Sequence, residues 1–211
     1  MDAQESGRRK NGRGNRAATT HKLLEAAATE FVQRGFDSAR VADIARNAGV
    51  TAGSIYARWS TKTEMMVAAL DHIFEQILPE PRIKDFGLYD LPFPEIVLLG
   101  AVGLLEPDSQ REILTQVFGS ARNNPDVHAR LGKHLNDSID QISVLVDRSK
   151  DEGRTDQELS TDAIALLIQA IEIGVHMMIS GGLDEARVPS PSDWEALMSR
   201  FIDSTAPPSA D

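Results

Sequence analysis

The stretch ARVADIARNAGVTAGSIYARW, residues 39–59, decides the fold. Val41, Ile44, Ala45 and Ala48 recur at helical spacing, which predicts a short helix over roughly 40–47. Gly49 ends it. Thr51 is an expected N-cap for a second short helix that ends near Trp59. In that helix Ile55 and Trp59 stand four residues apart and face inward, leaving Ala52, Gly53, Ser54, Tyr56 and Arg58 to point elsewhere. Two short helices joined by a glycine turn outline a helix-turn-helix over about 39–58. Small residues at 52–54 allow the second helix to approach a partner closely, and the major groove of DNA, about 12 Å wide, admits such a helix. Backbone amides near Thr51 offer a phosphate site at the helix N-terminus.

Working outward, Leu23, Ala27 and Phe31 recur every four residues, with Leu24, Ala28 and Val32 beside them, so a helix precedes the pair and stops near Gly35. A fourth helix begins after Ser60-Thr61-Lys62 and ends before Pro79 and Pro81. Further helices are expected over roughly 94–105, 108–122, 125–152, 160–180 and 191–204. Ser160 caps the fourth of these, and Ser192 with Glu195 reads as a capping box for the last. No strand-period segment appears, so the chain is expected to be all-α with about nine helices. Residues 1–16 lack apolar periodicity and are expected to be a disordered basic arm carrying Arg8, Arg9, Lys10, Arg13 and Arg16. Such an arm either lies along DNA or serves only as a solubilising tail. The expected divisions are the arm, a DNA-binding domain over 17–77, a second domain over 78–204 and a disordered tail over 205–211.

Charge follows the same division. The 211 residues carry a net −10, but residues 1–62 hold 11 basic and 6 acidic side chains, so the remainder holds 11 and 26. A positive segment joined to a strongly acidic one points to nucleic acid as a partner of the first. There is no cysteine, which excludes a disulfide scaffold, thiolate metal ligands and a cysteine nucleophile, and fits a reducing cytoplasm. No apolar run of 18 residues passes without a polar interruption, and the N-terminus has no apolar core of a secretory signal, so no membrane span or leader is expected.

At these residues the chain resembles the tetracycline-repressor (TetR) family. The resemblance runs from Thr20 to Leu70, about a quarter of the chain. It rests on Ala26 to Phe31, Gly35-Phe36, Val41-Ala42-Asp43-Ile44-Ala45, Ala48-Gly49-Val50, Gly53-Ser54-Ile55-Tyr56, Trp59, and Lys62 with Glu64. It implies a homodimeric regulator, usually a repressor, whose C-terminal helical domain binds a small molecule that releases DNA. It also implies that Thr51 and Tyr56 contact phosphate, that Ala52, Gly53 and Ser54 meet bases, and that Lys62 contacts the backbone. Two positions depart from the family pattern. Arg40 stands where Thr is usual at the N-cap of the second helix, and can contact phosphate but not cap. Arg58 and Trp59 replace the usual His and Phe, and Arg58 either reads guanine or holds phosphate.

The helix over 160–180 is apolar nearly all round, which predicts burial on all faces and hence a second packing partner. In the family this helix and the last one form a four-helix dimer interface. That assigns Ile164, Ile168, Ile171, Val175, Trp194, Leu197, Met198 and Phe201 to a dimer seam. Gln169, Glu172 and His176 interrupt the apolar helix. Glu172 and His176 read as half a metal site, as the reader of a ligand's polar end, or as a polar edge of the seam, the last being the reading preferred. A pocket is expected between helices four to eight, walled by Met66, Phe74, Phe86, Tyr89, Phe93, Val97, Phe118, Leu131, His134, Leu135 and Met177, with Gln169, Glu172 and His176 at its polar side. Such walls suit a lipophilic effector. No HExxH, GxSxG, P-loop or GxGxxG pattern appears, so no enzyme activity, cofactor or metal is expected. The expected partners are double-stranded operator DNA, a small lipophilic effector and a second copy of the chain. The alternatives are a helical enzyme or carrier that retains the helix-turn-helix as scaffold, and an activator of the same architecture.

Overall fold

The computed structural model describes residues 2–79, 83–84, 87–88, 90–106 and 109–208, with side chains at all of these except 2–15, 76 and 109–113. Phe86 and Tyr89, the side chains of Arg8, Arg9, Lys10 and Arg13, and residues 209–211 of the expected tail therefore lie outside the described set. Among the described residues there are nine α-helices and no strand. They are α1 (Asp2–Ser38), α2 (Val41–Asn47), α3 (Ala52–Tyr56), α4 (Lys62–Ile77), α5 (Phe93–Val102), α6 (Ser109–Ala121), α7 (Pro125–Asp151), α8 (Thr161–Ser180) and α9 (Pro191–Asp203), with 3₁₀ turns at Gly103–Leu105 and Glu185–Arg187. The all-α expectation holds.

The chain divides into two compact units. The first runs to Phe74 and takes up Gln116–Leu131; the second comprises Glu75–Thr115 and Gly132–Asp211. The expected division falls at 77/78; the compact units change at 74/75, and 116–131 groups with the first unit. Val117 and Val127, both fully buried, belong to that stretch.

In unit 1 the periodic residues Leu23, Ala27 and Phe31 of α1 are fully buried, as are Ile44 of α2, Ile55 of α3 and Met65 and Met66 of α4. The expected irregular arm is instead helical from Asp2. Apolar periodicity could not show this, because residues 2–16 have no core face. Their Gln, Glu, Arg and Lys are good helix formers, and extending an existing helix avoids the cost of nucleation. Gly35 breaks the path of α1 with φ 74°. The turn after α2 is a Schellman motif: Gly49 N–H donates to Arg46 O and Val50 N–H to Ala45 O, with Gly49 at φ 68°. This is the glycine turn that the sequence places between the two short helices. Helix α4 is capped by Thr61, whose hydroxyl accepts from Glu64 N–H while the Glu64 carboxylate accepts from Ser60 N–H.

Unit 2 has its own core, where Phe93, Ile142, Val146 and Ala165 pack with Val97, Ile139, Leu145, Ile164 and Ile168. Trp194 Nε1 donates to Ala101 O at 2.8 Å and ties α9 to α5. Ser160 caps α8 as expected, accepting from Ala163 N–H. The cap of α9 is Ser190, which accepts from Asp193 N–H; Ser192 lies inside the helix, so the capping box expected there does not form. Pro191 at the first position fixes that start. Asp156 N–H donates to Thr205 O at 2.8 Å, so residue 205 is part of the packed unit and not of a loose tail.

Candidate nucleic-acid interface and ligand pocket

The N-terminus of α2 is held by a residue that sequence reading missed. Arg40 occupies the N-cap and its side chain makes no capping bond. Glu30, almost fully buried on α1, supplies the acceptor: its Oε1 lies 3.2 Å from Arg40 N and 2.9 Å from Arg34 Nε. A buried carboxylate is stable only with such partners. The signal was present as an acidic residue on the apolar face of a helix, between Ala26-Ala27 and Phe31.

Helix α3 lasts five residues and ends at Tyr56, short of Trp59. Ile55 anchors it and Trp59 is half-buried beside it. On the opposite side Thr51, Ala52, Gly53 and Tyr56 are exposed, Tyr56 at 53%, and Ser54 is half-exposed. Arg40, also exposed, belongs to the same unit. The Thr51 hydroxyl does not cap the helix; it lies 3.1 Å from the Ser54 hydroxyl. A Cβ on Gly53 would meet nothing nearer than Thr51 Oγ1 at 3.7 Å. The fold therefore does not require glycine there.

Arg58 is committed inside the unit. Its Nε donates to Thr20 Oγ1 at 3.1 Å and its Nη1 to Ser54 O at 2.7 Å, and Thr20 Oγ1 donates onward to Arg16 O. The side chain is thus a strut between α1 and α3. Charge spacing alone could not reveal this, because the partner lies 38 residues away. Lys62 Nζ donates to Asp37 O at 2.7 Å, closing the end of α1 against the start of α4. Arg46 pairs with Asp43 on its own helix and points to solvent.

Unit 2 holds a half-open cavity of about 690 Å³, a size that takes a drug-like or acyl ligand. Its walls include Phe93, Ile96, Val97, Leu104, Ile142 and Leu145 with Glu172 and Glu106 as acidic groups. Of the expected wall residues, Phe93, Val97 and Glu172 are there. Met66, Phe74, Phe118 and Leu131 fall in unit 1. Leu135 offers its carbonyl to Gln169 Nε2 at 3.3 Å, and His176 Nε2 lies 3.1 Å from Ser180 Oγ. His134 is buried on α7, away from the cavity walls, and burial pushes its pKa down from 6.5 to about 4. Met177 is exposed.

The expected dimer residues also separate. Ile168, Ile171, Met198 and Phe201 line the cavity, Ile164 packs on the core, and Trp194 is bonded within the unit. Val175 is half-buried and Leu197 is 59% exposed. Burial on all faces of α8 does not occur within the chain. Gln169 and His176 are buried, whereas Leu166, Leu167, Met177 and Met178 form an exposed apolar stripe. Helix α8 is long and apolar enough to cross a membrane by length and composition alone, although Gln169, Glu172 and His176 interrupt it.

Residues 23–69 match the family described as bacterial regulatory proteins, tetR family. The chain is similar to the HTH-type transcriptional regulator TtgR of Pseudomonas putida, 42% identical over 57 residues, a match that spans 27% of each protein. In three dimensions it is similar to a TetR-family transcriptional regulator of Cytophaga hutchinsonii, at TM-score 0.75 and 12% identity, covering 91% of this chain and 96% of that one. It is also similar to the transcriptional regulator FadR of Bacillus subtilis solved with stearoyl-CoA, at TM-score 0.64 and 16% identity, covering 88% and 98%.

Proposed function

We propose that the chain is a transcriptional regulator of the TetR family, a repressor that binds a two-fold symmetric operator as a homodimer; the family match at residues 23–69 supports this reading. The exposed face of α3 carries this reading. It combines small residues, an exposed Tyr56 and a helix start, and its backing by Ile55 and Arg58 holds it in one orientation. In this reading Ala52, Gly53 and Ser54 meet base edges. Thr51, Tyr56, Lys62 and Arg40 hold phosphates, joined by Arg8, Arg9, Lys10, Arg13 and Arg16. Two such helices enter successive major grooves about 34–36 Å apart. Arg58 positions α3 and does not touch the bases.

The second copy covers the stripe of Leu166, Leu167, Met177 and Met178 together with Leu197. The effector is apolar, because isoleucine, leucine, valine and phenylalanine wall the cavity, and Glu172 suits a hydrogen-bond donor or cation at its polar end. The acyl chain bound by FadR shows that a related fold accepts a ligand of that class. Filling the cavity favours the form that leaves DNA, with coupling of about 1–3 kcal/mol. A regulator of this kind acts in the cytoplasm and needs no enzyme activity. The test is binding to DNA from the gene's own promoter region across a salt series. Specific binders are typically 1,000-fold or more selective at ~150 mM salt. Equal affinity for random DNA would overturn the reading and favour a carrier or enzyme that retains the helix-turn-helix as scaffold.

A further inference from the structure

His21, Glu25 and His72 bring one potential ligand atom each into a cluster whose atoms lie within 4.8 Å of one another. His21 and Glu25 stand four residues apart on α1 and share a face. His72 comes from α4. Its Nε2 lies 2.7 Å from Glu25 Oε1, and its ring meets that of His21 edge-on with centroids 5.0 Å apart. His21 and Glu25 are exposed and the His72 side chain is 17% exposed, so the cluster opens to solvent from a half-buried base. We propose that these three residues bind a divalent transition-metal ion of the zinc type within unit 1.

The donor set selects the metal. Carboxylates alone suit magnesium or calcium, whereas two imidazoles beside one carboxylate suit zinc, nickel or copper. Tetrahedral ligands at about 2.0–2.1 Å from zinc stand roughly 3.3 Å apart. The His72–Glu25 pair, at 2.7 Å, must open by about 0.6 Å to reach that spacing, and the ion takes the place of their hydrogen bond. His21 must close by about 1.5 Å relative to the widest separation, which a rotamer change at an exposed helical position supplies. Three protein ligands leave the fourth position to water. The ion would tie α1 to α4 at the residue next to Thr20, the acceptor of Arg58. Linear spacing conceals the site, because His72 is 47 residues from Glu25.

The experiment is Zn²⁺ titration of the full chain, read by calorimetry and by thermal unfolding. Wild type should bind one ion per chain, and its melting temperature should rise with Zn²⁺ concentration. His21→Gln and Glu25→Gln lie at exposed helical positions and should keep the wild-type circular dichroism spectrum without metal. Each should lower affinity at least ~10-fold, since loss of even an outer partner of a zinc ligand costs about that much. His128→Ala, an exposed histidine elsewhere in unit 1, should bind Zn²⁺ as wild type does. Co²⁺ in place of Zn²⁺ should give a low-symmetry visible spectrum that both ligand variants lose. Wild-type-like Zn²⁺ affinity in His21→Gln and Glu25→Gln would overturn the proposal, and so would the absence of any melting shift in wild type. Either result would leave the cluster as a hydrogen-bonded pair with a stacked ring.

Discussion

Helix α3 buries Ile55 and exposes Ala52, Gly53 and Tyr56, whereas the 20-residue α8 buries Gln169 and His176 and exposes Leu166, Leu167, Met177 and Met178. Neither follows the usual arrangement of a surface helix, which buries apolar residues and presents charge. Helix α3 presents almost nothing: short side chains, backbone and one phenol. Helix α8 presents a dry face. Each surface is poor at contacting water in its own way, and each is suited to a different partner. A thin helix with small side chains fits a groove whose recognition is polar. An apolar stripe fits a second apolar stripe, because burying it removes area from water at about 25 cal/mol per Å².

The comparison breaks most readily at α8. Leu166→Glu combined with Met178→Glu puts two carboxylates on the stripe. Both positions are exposed in the single chain, so the fold of unit 2 should survive. In a dimer each unpaired buried charge costs several kcal/mol, so the protein should be monomeric by light scattering. Operator affinity should collapse with it, because one half-site supplies only half of the contacts. A dimer of unchanged mass would show that the stripe serves something else.

A smaller loss is expected at the support of α3. Arg58→Ala removes two hydrogen bonds, to Thr20 and to Ser54 O. Hydrogen bonds from a charged donor contribute roughly 1.5–3 kcal/mol, so the melting temperature should fall. Operator affinity should fall more than affinity for random DNA, because disorienting α3 weakens the contacts of Ala52, Gly53 and Ser54 together, with no loss of preference confined to one base pair. A change in preference at a single base pair would instead return Arg58 to the reading face. Tyr56→Ala, at an exposed position, should weaken DNA binding with no change in melting temperature. That contrast separates positioning from contact.

These two residues show how far sequence reading extends. The helix-turn-helix was legible because it depends on local signals: apolar residues at helical spacing, Gly49 with its positive φ, and Ile55 as sole anchor. What was not legible depends on residues distant in the chain. Arg58 looked like a DNA contact until Thr20 stood beside it. Arg40 looked uncapped until Glu30 supplied the acceptor from α1. In unit 2 the apolar character of α8 was legible, but the division of its residues between cavity and exterior was not. Periodicity cannot assign faces to a helix that is apolar on nearly all of them, so Ile168 and Phe201 were placed at a seam although they line the cavity.

Acid should act on unit 2 through His134. Its pKa lies at about 4 because burial disfavours the imidazolium, against 6.5 in the unfolded chain. Above pH 6.5 both states hold the neutral ring and nothing is lost. As pH falls from 6.5 towards 4 the unfolded chain takes up a proton that the folded chain does not. Stability therefore declines by at most about 3 kcal/mol over that window and levels off below it. Asp137 opposes the shift and Lys133 adds to it, so the slope belongs to the group and not to the ring alone. His134→Leu should flatten the melting temperature between pH 6.5 and 4. An unchanged slope would assign the acid sensitivity to other groups.

The smallest effects sharpen the comparison at two glycines, one on each exposed surface. Gly53 in α3 and Gly174 in α8 both lie in helical backbone, and a Cβ at either position meets no close neighbour in the chain. Internally, alanine is the better residue at both, since glycine costs roughly 0.5–1 kcal/mol in a helix interior. If glycine serves anything, it serves the approach of an outside partner. Gly53→Ala should therefore leave stability unchanged or slightly raised while weakening operator binding by a few-fold and sparing the dimer. Gly174→Ala should behave in the mirror sense, with the dimer dissociating at higher protein concentration and the affinity of the intact dimer for DNA unchanged. The pair of measurements, sedimentation and DNA titration on both variants, asks whether each surface has the partner assigned to it. Should Gly53→Ala bind DNA as wild type does, the helix does not approach the bases closely at that residue, and Tyr56 and the flanking phosphate contacts would hold it at a greater distance.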